Sequence, residues 1–219
     1  MGKCILIGAG DFTYRSTASV SVSADDYVIA VDGGYAYCDR LGIHPDLIVG
    51  DMDSLADDWQ RKIESIARTN PEVLFKLPCE KDDTDMRFAI KQGLAKGYLE
   101  FVLYGALGGR LEHTIANIQC LLYLKNQGAE GMIADERYSI FLIQDETMRF
   151  PKEKEGFFSL FALQKQVLGV TIKGMKYPLK DAVLTEDYPI GISNEFIGEA
   201  AEVTVKDGML LAIVSKKYR

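Results

Sequence analysis

"EFVLYGALGGRLEHTIANIQCLLYLKNQG", Glu100 to Gly128, passes from an apolar strand-like run through a glycine-rich turn into a long helical pattern closed by Gly128. Strand, tight loop and helix in that order are the building unit of a parallel sheet covered by helices. The residues upstream repeat the unit. "KCILI" (3–7), "YVIAV" (27–31), "DLIVG" (46–50) and "EVLFK" (72–76) are strand candidates. "DDWQRKIESIARTN" (57–70) and "TDMRFAIKQGLAKG" (84–97) carry helical spacing between them, the second with Thr84 as N-cap and Gly97 past its end.

Beyond Gly128 the pattern changes to short β-rich runs, among them "GMIAD" (131–135), "YSIFLI" (138–143), "GFFSLFAL" (156–163) and "AEVTVKDGMLLAIV" (201–214). The Asp207-Gly208 pair predicts a hairpin turn. This part reads as an antiparallel sandwich or barrel. With no repeat and no low-complexity linker, the expectation is an α/β domain over 1–128 packed directly on an all-β domain over 129–219.

Composition narrows the partners. The 219 residues carry a formal charge of −7 and no basic block, which argues against a nucleic-acid or anionic-membrane surface and leaves small ligands open. Cys4, Cys38, Cys79 and Cys120 are widely spaced and only two histidines are present, so the cysteines read as reduced structural thiols. The N-terminal apolar run is too short for a secretory signal, and no stretch approaches the ~20 apolar residues that span a bilayer. Those features set a cytoplasmic location as the default expectation.

In a parallel sheet, ligands bind where the strands end at their carboxyl sides. The informative residues collect there: "GAGD" (8–11), "DGG" (32–34), "GDMDS" (50–54), "KDDTD" (81–85) and "GALGGR" (105–110). Glycines permit close backbone approach, carboxylates suit a hard cation, and Lys81 and Arg110 suit phosphate. Together they describe a magnesium–nucleotide site. A calcium loop starting at Asp51 is excluded, since Ala56 replaces the required glycine and Lys62 the bidentate glutamate. Asp57, Asp58 and Asp82 read as helix N-terminal or solvated charges. Asp51 and Asp53, two like charges at the end of a buried strand, call for a compensating cation. His113 and Asn117, four apart, share a helix face near Arg110 and can point at one ligand; a helix N-terminus packed on a sheet would carry them equally well.

Taken in order, "DGG", "GDMDS", "KDDTD" and "GGRLEHTIAN", followed by "KYPL" (176–179) and "ISNEF" (192–196), resemble the thiamine pyrophosphokinase family. The match keeps motif order over most of the chain. It departs at Glu112, where the family usually has aspartate. The resemblance implies an α/β nucleotide domain, a C-terminal β-sandwich, a homodimer with its active site shared between subunits, and Mg²⁺-dependent transfer of pyrophosphate from ATP to thiamine. It implies Asp32, Asp51, Asp53 and Asp85 as catalytic residues, with Asp51, Asp53 and Asp85 around the metal. Gly33, Lys81, Asp82, Thr84, Arg110, His113 and Asn117 would serve ATP, and Ser193 and Asn194 thiamine. Tyr177, beside "YPL", is equally a sandwich packing residue. Two other readings stay open from the carboxylate pair alone: a metal-dependent nucleotide-sugar transferase, in which "KDDTD" and "GGRLEH" have no role, and a non-catalytic nucleotide sensor.

Overall fold

The computed structural model describes residues 2–11, 20–52, 55–78 and 82–217. The chain forms two compact units, Met1–Glu136 and Arg137–Arg219.

The first unit is built on a parallel sheet. Its strands are β1 (Cys4–Ile7), β2 (Tyr27–Val31), β3 (Leu47–Gly50), β4 (Leu74–Lys76), β5 (Glu100–Tyr104) and β6 (Glu130–Ala134). Their order is β6-β5-β1-β2-β3-β4, with every neighbouring pair parallel. The chain builds outward from β1 to β4, then returns to place β5 on the other side of β1. That reversal between β1 and β5 is the switch point where a parallel sheet opens a ligand crevice. All four residues of β1 are buried, which is why the strand reads as an unbroken apolar run.

Among the described residues four α-helices connect the strands: α1 (Gly34–Leu41), α2 (Asp57–Thr69), α3 (Asp85–Ala95) and α4 (Leu111–Asn126). Thr84 caps α3 as expected, its Oγ1 accepting from Arg87 N at 3.2 Å. Asp57 and Asp58 open α2 as exposed charges at the positive end of the helix dipole. Helix α1 went unforeseen because it is short, starts at a glycine and has no side-chain cap. Its first residue must be small: a Cβ on Gly34 would lie 1.8 Å from the Ile7 carbonyl oxygen.

The second unit is a sandwich of two antiparallel sheets. One is ordered β12-β9-β14-β7, from β7 (Tyr138–Gln144), β9 (Phe157–Ala162), β12 (Asn194–Glu195) and β14 (Met209–Ser215). The other is β11-β10-β13-β8, from β8 (Thr147–Phe150), β10 (Gln166–Lys173), β11 (Leu179–Thr185) and β13 (Ala201–Thr204). Inward residues of both sheets, among them Phe158, Leu160, Val170, Ile172, Val203 and Leu210, form one core. Phe158 sits edge-on to Phe150 and Phe196 at centroid distances of 5.5 and 5.9 Å. Burying each such ring contributes about 1.5–3 kcal/mol.

Two expectations are corrected. The units divide after Glu136, not at 128/129, because β6 pairs parallel with β5 and so completes the first sheet. The Asp207-Gly208 turn does not close a hairpin: β13 pairs with β8 and β10, β14 with β7 and β9, so this turn carries the chain from one sheet to the other. It runs beside the β7–β8 crossover, where Gly208 N donates to Asp145 Oδ1 at 2.6 Å.

Cys4, Cys38 and Cys120 are buried and free. Burial pushes their thiols up to about 12, 12 and 11, which fits the expectation of inert structural cysteines. Cys79 lies outside the described residues. No helix among the described residues is long and apolar enough to cross a membrane.

Candidate active site

A cleft of about 510 Å³ opens at the carboxyl ends of the parallel strands. One wall comes from Gly8 to Gly10 after β1 and from Gly105 to Arg110 after β5, the two sides of the switch point. Asp32 enters after β2, Asp51 after β3, Thr84 and Asp85 at the start of α3, and His113 and Asn117 from the first turns of α4.

The glycine wall is held by pairing between its two loops. Gly8 N donates to Tyr104 O at 2.8 Å, Gly10 N to Gly105 O at 2.8 Å, and Asp11 N to Leu107 O at 2.9 Å. The approach is too close for a side chain, since a Cβ on Gly10 would lie 2.3 Å from the Leu107 carbonyl oxygen. Asn117 Nδ2 donates to Ala106 O at 2.8 Å from the facing helix. Arg110 donates from its guanidinium to His113 Nε2. Arginine has no acceptor, so Nε2 is the accepting atom of that contact. Glu112 lies 3.4 Å from Arg110 Nε, with both side chains exposed.

The carboxylates stand on loops held in uncommon conformations. Asp32 has φ 49° and Met52 φ 68°, left-handed values that non-glycine residues adopt at a cost of about 1–3 kcal/mol each. Asp32 is fixed by its N–H to Val49 O at 2.8 Å, and its Oδ1 is buried against the Cα of Gly50. The turn after β3 is gripped by Gln60 of α2, whose amide donates to Met52 O at 3.0 Å and Leu55 O at 2.9 Å. Nothing in the sequence marks Gln60, an ordinary residue on an exposed helix. The acids of "KDDTD" divide their work: Asp82 is exposed, Asp83 pairs with Lys91 and with Arg87 at 3.4 Å, and Asp85 faces the cleft.

Seven expected residues therefore meet in one cleft: Asp32, Asp51, Thr84, Asp85, Arg110, His113 and Asn117. Gly33 follows Asp32 at the entry to α1, and neither it nor Asp82 lines the cleft. Asp53 and Lys81 lie outside the described residues. Among the described residues no three carboxylate, imidazole or thiol groups form a metal cluster, the expected one having Asp53 as a member. Among the described residues the acidic groups on the cleft wall are carboxylates and no thiol lines it, a donor chemistry that fits a hard cation.

Ser193 and Asn194 belong to the second unit. Asn194, 4% exposed, is the buried polar side chain among the described residues. Its Oδ1 accepts from Tyr177 N and Glu195 N, both at 2.9 Å, and its Nδ2 donates to Tyr177 O at 2.7 Å. Both lone pairs of the amide oxygen are thus committed to the backbone. Ser193 is exposed, left-handed at φ 58°, and donates from its N–H to Ser159 Oγ at 3.1 Å. Tyr177 is 56% exposed, so it is not a packing residue of the sandwich core.

Residues 19–133 match the family model "Thiamin pyrophosphokinase, catalytic domain", and residues 145–210 match "Thiamin pyrophosphokinase, vitamin B1 binding domain". Thiamine pyrophosphokinase of Bacillus subtilis (strain 168) is 29% identical over 188 residues, covering 85% of this chain and 86% of that protein. The crystal structure of thiamine pyrophosphokinase from Bacillus subtilis superposes with a TM-score of 0.87 at 26% identity, covering 99% of this chain and 100% of that one. The yeast thiamin pyrophosphokinase structure shares the fold at a TM-score of 0.76 and 17% identity, over 98% of this chain and 86% of that one. These matches do not favour the sugar-transferase or sensor readings. A catalytic-domain match over more than half the chain, on a cleft that gathers the motif residues, places this protein in the thiamine pyrophosphokinase family.

Proposed function

We propose that the chain transfers pyrophosphate from ATP to the hydroxyl of thiamine, giving thiamine diphosphate and AMP, with the nucleotide in the cleft of the first unit. The observation that carries this reading is the meeting of Asp32, Asp51 and Asp85 with a glycine wall and Arg110 at the switch point of the sheet. Attack of the hydroxyl oxygen on the β-phosphorus forms one O–P bond, breaks the bridge to the α-phosphate and releases a proton. Charge builds on the phosphate oxygens, so fixed donors and cations must surround them.

Asp51 and Asp53 would hold Mg²⁺, which when bound neutralises charge on the phosphate oxygens. Asp85 completes that set or accepts the hydroxyl proton, and Asp32 is the further carboxylate of the site. Arg110 and Lys81 would contact phosphate. On binding nucleotide, the Arg110 guanidinium exchanges His113 for a phosphate oxygen, whose negative charge strengthens the hydrogen bond it accepts. On the thiamine side, Ser193 offers a hydroxyl, while Asn194 shapes the neighbouring backbone.

We further place the enzyme in the cytoplasm as a homodimer whose active site is shared between subunits. What supports a dimer is the apolar surface of the second unit, where Tyr188, Ile190, Ile192 and Ile197 are 65, 52, 47 and 49% exposed. The reaction itself is tested by incubating protein, ATP, Mg²⁺ and thiamine and identifying both products. AMP and thiamine diphosphate are expected. Stoichiometric ADP with thiamine monophosphate would overturn transfer from the β-phosphorus.

A further inference from the structure

We infer that Asn117 is a positioning residue for the nucleotide, acting through the Ala106 carbonyl that it draws out of the cleft, and not a ligand of the phosphates. Four consecutive carbonyls, from Tyr104 to Leu107, follow one another where the chain leaves β5, and Gly105 and Ala106 among them line the cleft of the proposed triphosphate. Three are consumed by the loop after β1, through the N–H groups of Gly8, Gly10 and Asp11. The ladder has one gap, at Ala106, since among the described residues no backbone N–H of the loop after β1 donates to that oxygen. Asn117 Nδ2 fills the gap at 2.8 Å. A carbonyl can only accept, so the amide must present its nitrogen there and its orientation is fixed.

The consequence is electrostatic. Each carbonyl oxygen carries partial negative charge, and one turned toward a triphosphate in a poorly solvated cleft would repel it. With all four carbonyls occupied, the wall can turn its N–H groups and glycine Cα atoms to the anion. Left-handed values at Gly105 (φ 59°), Gly108 (φ 83°) and Gly109 (φ 62°) give the backbone the curvature of an anion-binding concavity. Asn117 supplies the fourth donor from α4, and so ties that helix to the wall.

The inference rests on the nucleotide reading of the cleft, and steady-state kinetics separates the two. Asn117→Ala is expected to raise KM for ATP about tenfold while KM for thiamine stays within twofold and kcat within about threefold. Asn117→Asp sets a carboxylate against the Ala106 oxygen and is expected to raise KM for ATP further. Its ATP affinity should recover as pH falls, because a protonated carboxyl donates to that oxygen as the amide does. The loop is then disturbed from its other side with Gly10→Ala or the milder Gly8→Ala, whose Cβ would lie 2.7 Å from Gly105 O. If Asn117 acts through the loop, its effect and that of the glycine variant are less than additive; additive effects on KM for ATP mean direct contact with nucleotide and overturn the inference. An unchanged KM for ATP in Asn117→Ala overturns it as well. Absence of ATP-dependent turnover by the unaltered enzyme overturns the nucleotide reading and this inference with it.

Discussion

In the first unit Asp32, Asp51 and Asp85 stand around an open cleft, two of their loops held in left-handed turns, while the adjoining glycine wall is held by hydrogen bonds between the loops after β1 and β5. In the second unit the buried polar side chain, Asn194, is turned wholly to its own backbone, bracketing the Tyr177 peptide from both sides. Like-charged carboxylates gathered in one cleft cost stability that the surrounding fold must supply; a satisfied buried amide contributes stability and specifies one geometry. Substitutions in the two units should therefore fail in different ways, the first in turnover and the second in stability.

The sharpest attempt to break that contrast is Asp51→Asn, which keeps the size of the side chain and removes its charge. Turnover is expected to fall on the order of a hundredfold or more, with the thermal midpoint nearly unchanged. Near-normal turnover at limiting Mg²⁺ would remove Asp51 from the metal site. Asn194→Ala should do the reverse. It strands the N–H of Tyr177 and Glu195 and the Tyr177 carbonyl, for a loss of about 2 kcal/mol in chemical denaturation, and at temperatures where the variant is folded KM for ATP should not move. If stability is retained while KM for thiamine alone rises, Asn194 is a ligand after all and the contrast between the units fails at that residue.

The smallest effect concerns acid. The hydrogen bond from Lys176, and then that from Lys217, holds the Glu195 carboxyl below its usual range; Lys173 does the same for Glu202 and Lys206 for Asp181. A carboxyl depressed in the folded state contributes stability that is fully present above its unfolded value, 4.5 for Glu195, and is lost as pH falls through the lower folded value. These pairs are exposed, so the contribution is small and screened by salt. Glu195→Gln should flatten the decline of thermal midpoint below about pH 4.5 at low ionic strength. A decline identical to that of the unaltered protein would show the ion pairs to be without consequence.

Legibility in the sequence followed the range of the interactions. The parallel sheet and its loaded strand ends could be read because apolar runs, glycines and acids sit within a few residues of one another, as in "GDMDS" and "GALGGR". Thr84 as a cap was readable for the same reason, its partner Arg87 being three residues away. What failed was non-local. β6 looks like any short strand until β5 is found beside it, and an Asp-Gly turn reads as a hairpin unless the flanking strands are known to belong to opposite sheets. Gln60 and Asn194 carry no local sign of the carbonyls they hold, the second lying 17 residues from Tyr177 in sequence. Helix α1 was missed on weak local signal, a start at glycine without a cap.

The seam between the loops after β1 and β5 also bears on how the enzyme comes into being. Its bonds join residue 10 to residue 105 and residue 11 to residue 107, so closing it requires most of the first unit's chain to be in hand. Contacts of such long sequence separation are slow to form and give no return until the loop between them is closed. A nascent chain that has delivered β1 through α3 has the carboxylates of the site but no anion cradle. Once β5 docks against β1, the sheet gains the strand on the other side of β1 and the cleft gains its wall in one step. Maturation of the cleft and docking of β5 are then a single kinetic event, and a partly folded population that binds nucleotide has no place on that route.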